Sequence, residues 1–370
     1  MRRIAALLAA AMVVAMVVSA PAYAHAADRE RWDTEVFAHV DFPGYPALPH
    51  VRGDRVYEGT YVNPHGDRTP SVVREYTADG LQLRSWEIEG QDLAAEHGIQ
   101  VTAHTADGRL VLNDRTPART LLLDTATGEQ ATYATYADLP ACSPLGGSGD
   151  CSHTLADHAP MPNVSAWGPD GGLYTTDFQQ GVIWRVSPGG GAAQVWLSDP
   201  VLAGETFGTA GIALTPDRDA FLVAQATTNH DGPGIGGVYR IPLNADGSAG
   251  TPEKLWTSGP GDLPDGLAVT ETGRIYVTLV GVGAQIVVLE PSGAEVERFP
   301  EVPATGANGS PIPFDSPSGA AFMGSRLLIA NQSFLGDRDH QAILDVETGE
   351  PGLAPYVPPG ALRKSPLPRR

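Results

Sequence analysis

Basic residues are scarce in this chain of 370 residues. Its 24 lysines and arginines stand against 43 aspartates and glutamates, for a formal net charge of −19 at pH 7. A surface of that sign repels nucleic acid and anionic membranes, so neither is expected as a partner. After Ala24 no apolar run is long enough to span a bilayer. The sustained three-to-four-residue periodicity of a long helix is missing too, while 43 glycines and 32 prolines punctuate the chain. Familiar catalytic signatures are also lacking: there is no G-x-S-x-G elbow, no H-E-x-x-H and no C-x-x-C. A formal G-x-G-x-x-G at Gly232, Gly234 and Gly237 contains Pro233 and leads into the strand GVYRIPL, which excludes a dinucleotide fingerprint. Cysteine is nearly absent. Cys142 and Cys151 flank a Ser/Gly-rich stretch and are expected to form a loop-closing disulfide.

What is present begins with an export signal. Arg2 and Arg3 precede an apolar run from Ile4 to Val18, and Ala22-Tyr23-Ala24 is an A-x-A cleavage site, with Ala24-His25-Ala26 as a second. Residues 1–24 are therefore read as a signal peptide, and the protein as secreted. The last thirteen residues, 358–370, read as a disordered, basic, Pro-rich tail.

Between them, over 25–357, the chain repeats itself. GIQVTAHTADGRLVLN, PNVSAWGPDGGLYTTD, TAGIALTPDRDAFLVA, PDGLAVTETGRIYVTL and SPSGAAFMGSRLLIAN each hold a short apolar strand, a Gly- or Asp-bearing turn and a β-rich second strand. Their alignment puts Gln100, Asn163, Ala210, Asp265 and Ser318 at one equivalent place. Each unit is followed by a strand with a central aromatic: Trp86, Tyr133, Trp196, Trp256, Phe299 and Tyr356. Phe37 in EVFAHVDF is a further match. Six units of four strands predict an all-β, six-bladed propeller. Ring closure is left with two candidates for the outermost strand, the Phe37 and the Tyr356 segments. A monomer is expected.

In a propeller the first strand of each blade lines the central channel. Gln100, Asn163, Asp265 and Ser318 would therefore converge at one mouth. Carboxylate and amide oxygens so arranged suit a hard cation, and Asp265 would serve as ligand, general base or both. The bland alternative is that these residues solvate a channel. Asp177 and Asn331, which follow second strands, are better read as turn caps. The loop CSHTLADHAPMPN brings His153, Asp157 and His158 close before Asn163; it is read either as a lid with His158 facing substrate or as a solvated loop.

The units PNVSAWGPDGGLYTTDFQQGVIWRV and LPDGLAVTETGRIYVT resemble the senescence-marker protein, gluconolactonase and luciferin-regenerating-enzyme family of propellers. The resemblance implies one divalent cation (calcium, magnesium, manganese or zinc) at the channel mouth and hydrolysis of lactones or related esters. It carries the metal role to Asn163 and Asp265, and a substrate contact to Gln100. The family's first-blade glutamate falls near Tyr45 to Ala47, where no carboxylate stands, and Glu58 is on the next strand. The alternative is a non-catalytic propeller that binds a small molecule or protein at the same mouth.

Overall fold

A computed structural model describes residues 29–61, 68–143, 150–154, 156, 158–205, 207–334 and 336–359. The leader, Asp157 and the tail from residue 360 onward lie outside the described residues. No α-helix occurs among the described residues.

After an initial strand β1 (Thr34–His39) the chain builds six blades in order. Blade one is β2 (Tyr45–Arg52), β3 (Arg55–Tyr61), β4 (Val72–Thr77) and β5 (Gln82–Glu87). Blade two is β6 (Ile99–His104), β7 (Leu110–Asp114), β8 (Arg119–Leu123) and β9 (Gln130–Thr135). Blade three is β10 (Pro162–Trp167), β11 (Leu173–Asp177), β12 (Val182–Val186) and β14 (Gln194–Ser198), with a two-residue strand β13 (Gly191–Ala192) pairing in parallel with β9 of the preceding blade. Blade four is β15 (Thr209–Leu214), β16 (Ala220–Gln225), β17 (Gly237–Pro242) and β18 (Glu253–Thr257). Blade five is β19 (Pro264–Val269), β20 (Ile275–Leu279), β21 (Gln285–Leu289) and β22 (Glu295–Phe299). Blade six is β23 (Pro317–Met323), β24 (Arg326–Asn331) and β25 (Ala342–Glu347), completed by β1.

That last pairing closes the ring. β1 runs antiparallel to β25 from Thr34↔Val346 to His39↔Ala342. The buried Asp345 carboxylate fastens the latch, accepting from Arg29 Nη1 at 2.9 Å and Arg326 Nε at 2.7 Å. Phe37 thus sits on the outermost strand. Tyr356, the other candidate, belongs to no strand; it packs under the inner strands of blades two to four. The remaining five aromatics do stand on the fourth strand of their blades.

Middle strands are buried on both faces, as radially packed sheets require, so β16, β20 and β21 read as unbroken apolar or Thr/Gln runs. The packing leaves the ring two unlike faces. Where inner strands begin, connections are long; where they end, turns are short.

Candidate functional site

The inner strands share a local distortion that shapes this upper mouth. In blades three to six the first inner pair, and in blade one the second, is followed by a bulge: Pro264 opposes Leu279, then Leu267 opposes Val277, leaving Asp265 and Gly266 against a single residue. Asn163, Ala210 and Ser318 occupy the same place in β10, β15 and β23. A bulge re-aims side chains and frees backbone N–H groups. Those groups find local acceptors: Gly266 N donates to Thr278 Oγ1 at 2.9 Å and Val164 N to Thr176 Oγ1 at 3.2 Å. The glycine after Asp265 has a steric cause. A Cβ at Gly266 would lie 2.4 Å from the Ser318 carbonyl oxygen of the next blade.

Blade one places Ala47 at this position, between Pro46↔Thr60 and Pro49↔Glu58. The ring therefore carries no first-blade carboxylate. Glu58 is fully buried behind it, with Oε1 accepting from Ala47 N at 2.6 Å and Leu48 N at 3.0 Å. Burial lifts its carboxyl to about 8, against the pull of those two backbone donors. The second oxygen, Oε2, has no hydrogen-bond partner.

The predicted ring residues meet at one mouth. Gln100, which pairs Asn113 directly because the β6 bulge comes later, donates from Nε2 to Asn163 Oδ1 at 2.7 Å. Asn113 Nδ2 donates to the Asn163 carbonyl oxygen at 2.8 Å, tying blade two to blade three. Gln100 Oε1 is buried without a partner. Across the mouth, Gln332 Nε2 donates to Ser318 Oγ at 2.8 Å, and the Ser318 hydroxyl reaches the Ala47 carbonyl at 3.2 Å. Asp265 is half-buried in the channel wall. Burial raises its carboxyl from the usual range to about 6, while the Ser318 hydroxyl pulls it down. Ala210 contributes only a methyl group to this ring.

Sequence reasoning missed Tyr61. Its hydroxyl accepts from Gln100 Nε2, and the Asp265 carboxylate is near enough to act on its phenol electrostatically. Burial, which outweighs every charge acting on it, pushes the phenol well upward, so it stays protonated and able to donate. The residue closes β3, and only its place beside the first-blade gap could have marked it. Tyr61 also opens an aromatic rim. Its ring lies 6.0 Å from that of Tyr45, which lies 6.3 Å from Phe334, and Phe178 stacks on Phe207 at 4.8 Å. Phe207, Phe334 and Val282 are exposed on the loops of this face.

The predicted lid is anchored beside the mouth. Cys142 and Cys151 are disulfide-bonded. Ser152 Oγ donates to the Gln180 carbonyl at 2.9 Å and Leu139 N to Gln180 Oε1 at 2.7 Å, which docks the loop on the β11–β12 turn. His153 lies beside the sulfur atoms, and the three form a cluster of metal-ligand type whose thiols are consumed by the disulfide. His158 is half-buried ahead of β10, and the described contacts do not tie it to the ring. Asp177 and Asn331 act within turns. Asp177 accepts from Met161, Gln179 and Gln180 N–H groups and from Trp184 Nε1 at 3.0 Å, and Asn331 Oδ1 accepts from Asp315 N at 2.8 Å.

Residues 73–311 match the family described as the SMP-30/Gluconolactonase/LRE-like region. The chain belongs to that family. No curated protein matches the sequence. Among solved structures, regucalcin of Agrobacterium tumefaciens, titled a calcium-binding protein, is 16% identical with a TM-score of 0.58, covering 89% of this chain and 99% of its own. A luciferin-regenerating enzyme is 14% identical with a TM-score of 0.57, over 85% of this chain and 95% of its own. Virginiamycin B lyase of Staphylococcus aureus is 14% identical with a TM-score of 0.55, over 85% and 99%. At these identities the likeness is one of fold.

Proposed function

We propose that this family member is an exported hydrolase of lactones or related esters, assisted by one divalent cation at the upper mouth. The observation that carries the reading is the ring itself. Asp265, Asn163, Gln100 and Ser318, spread over more than 200 residues of sequence, converge with Tyr61 at one end of the channel. The donor chemistry fits a hard cation: one carboxylate and two amide oxygens, of which Gln100 Oε1 is buried without a partner. Asp265, Asn163 and Gln100 would hold it, and when bound it would polarise a substrate carbonyl and acidify a coordinated water.

The chain's own residues supply the rest. Asp265, ionised above pH of about 6, accepts the proton of a water whose oxygen bonds to the carbonyl carbon. The carbon–alkoxy bond then breaks and the proton passes to the departing alkoxide. Tyr61, kept neutral by burial, offers an O–H toward oxygen on the substrate. The Cys142–Cys151 disulfide accords with a working place outside the cell.

One observation favours a second reading, a binding propeller without turnover. Ala47 leaves the ring with a single carboxylate, and Glu58 is committed to the β2 backbone. Metal analysis of the purified protein, followed by a lactone and ester panel on the parent and on Asp265→Ala, separates the two. Hydrolysis that needs a cation and Asp265 supports the enzyme; no turnover with retained small-molecule binding supports the alternative.

A further inference from the structure

Below the ring the channel widens into a cavity of about 660 Å³, within the span of ordinary small-molecule sites. Its walls start one residue below the ring, at Leu48, Val164, Gly211 and Gly266, and the ring residues do not line it. The C-terminal segment roofs the far end. Glu271 N donates to the Pro351 carbonyl at 3.0 Å, Gly352 N to Gly324 at 2.8 Å and Leu353 N to Val269 at 2.8 Å, which leads the chain across the lower mouth. Leu353, Tyr356 and Val357 then face the cavity, with Arg218 stacked 4.4 Å over the Tyr356 ring. Prolines at 355, 358 and 359 offer no N–H to a sheet, which suits a strap over a hole and not a fifth strand.

The lining is largely apolar, from Trp167, Ile212, Leu214, Val269 and Phe322. Thr102 and Ser165 reach the wall with their hydroxyls already engaged, Thr102 by the Val111 carbonyl and Ser165 by Asn113 and Thr175, and His50 is the one imidazole deep in it. His50 pairs through Nε2 with His104 Nδ1 at 2.9 Å. The two charged residues of the lining, Arg218 and Glu271, are exposed and lie at the strap edge.

We infer that this lower chamber is a second binding site, separate from the ring, for an uncharged and mostly apolar small molecule whose one hydrogen-bonding group meets His50. Apolar walls of this extent are poorly served by water, and a charged ligand would find no partner inside. A neutral, rigid body that fills the chamber removes apolar wall from solvent at little cost in its own entropy. The burial that holds both imidazoles neutral leaves His50 a hydrogen-bonding group without charge.

The test uses the full chain and 1-aminoanthracene, a neutral probe whose emission rises in apolar surroundings. The site requires a saturable, one-to-one rise with a dissociation constant in the micromolar range. Ala213→Phe, which fills the chamber, and Tyr356→Ala, which opens its roof, should each weaken binding about tenfold or more, with circular dichroism showing that both fold. Phe334→Ser at the opposite mouth should leave it unchanged. In displacement, 2-naphthol should outcompete 2-methylnaphthalene, and His50→Leu should erase that preference. Absence of saturable binding overturns the inference. So does loss through Phe334→Ser with Ala213→Phe neutral, which would move the probe to the upper mouth, and so does equal displacement by the two naphthalenes.

Discussion

The two ends of the channel are made from the same six inner strands, yet they differ in nearly every chemical respect. The upper end meets solvent through long loops, begins at a bulge in five blades, and gathers Asp265, Asn163, Gln100, Ser318 and Tyr61. The lower end follows regular ladder pairing in every blade but the second, is bordered by short turns, and encloses an apolar chamber under a proline-rich strap. The bulge produces the contrast. In those five blades it breaks strand alternation where the strands start, turning polar side chains toward the axis, and below it the pleat resumes with apolar residues. Chemistry that needs charge and water therefore belongs above, and recognition that excludes water belongs below.

The largest effect that would test this division is at Asp265. Asp265→Ala removes the one carboxylate of the ring, and hydrolysis should fall by roughly 10²–10⁴-fold, with metal content lost in parallel. Folding should survive, because the residue is half-buried at a strand start and its hydrogen bonding is confined to the Ser318 hydroxyl. Asn163→Ala should be milder, since an amide oxygen brings no charge. Probe binding in the lower chamber should not respond to either. A shared response would join the two ends into one site.

Next in size is the disulfide. Cys142→Ser frees a short loop whose closure is worth about 2–3 kcal/mol by chain-entropy estimates. The loop hangs on Gln180 at the upper side, so loss of the bond should speed amide exchange at Ser152 and Gln180 while leaving the strap segment protected. Uniform loosening of both ends would show that the loop supports the whole ring.

The lower end has its own pH signature. Burial, and then the Arg52 guanidinium, push His104 from the usual 6.5 to about 4, and burial with His104 and Arg52 pushes His50 well down. Folded values below the unfolded one mean that the unfolded chain takes up protons first. The stability tied to the neutral pair is thus complete above pH of about 6.5 and drains away as pH falls toward 4. Allowing for solvent at the half-buried His104, the loss should be about 2 kcal/mol. Urea midpoints measured from pH 7 to 4 check it, and His104→Gln should flatten that acid limb.

Much of this architecture is legible in the sequence because a propeller repeats. Each unit buries its own apolar strands against its neighbours, so the hairpins at Pro162 and Pro264 announce themselves, and the alignment that put Gln100, Asn163, Ala210, Asp265 and Ser318 in register finds them on successive inner strands. What escapes is non-repeating. Tyr61 works through its position beside Ala47, and His50 and His104 are 54 residues apart at ordinary strand positions. Spacing and a central aromatic make the Tyr356 segment one of two candidates for the outermost strand, beside that of Phe37. The prolines around Tyr356 carry the contrary signal, since a ladder needs N–H donors and three of the seven residues of LAPYVPP have none. The lid histidines show the limit of proximity in sequence: His153 is drawn to the disulfide, and the loop's anchor is the β11–β12 turn.

The smallest effect bears most directly on the ring's missing ligand. Glu58 carries a folded value of about 8 against 4.5, so its stabilising, neutral form prevails below pH of about 4.5 in either state, and its contribution is lost as pH rises through 8. Below pH of about 4.5 the carboxyl is protonated in both states, and it and an amide offer the same acceptor to Ala47 N and Leu48 N. Glu58→Gln should therefore change stability there by no more than about 1 kcal/mol. The amide would also place an N–H where Oε2 now lacks a partner, with the Tyr76 hydroxyl and Arg74 Nη1 likewise unpartnered on the same face of blade one. As pH rises from about 4.5 through 8 the variant should become the more stable protein, because it has no charge to bury. Cation binding should be untouched if Ala47 is the whole of the first blade's share in the ring. A loss of cation affinity in Glu58→Gln, with folding intact, would mean that Glu58 leaves the β2 backbone and enters the mouth as the second carboxylate. The contrast between a one-carboxylate ring and its apolar lower chamber would then have to be redrawn.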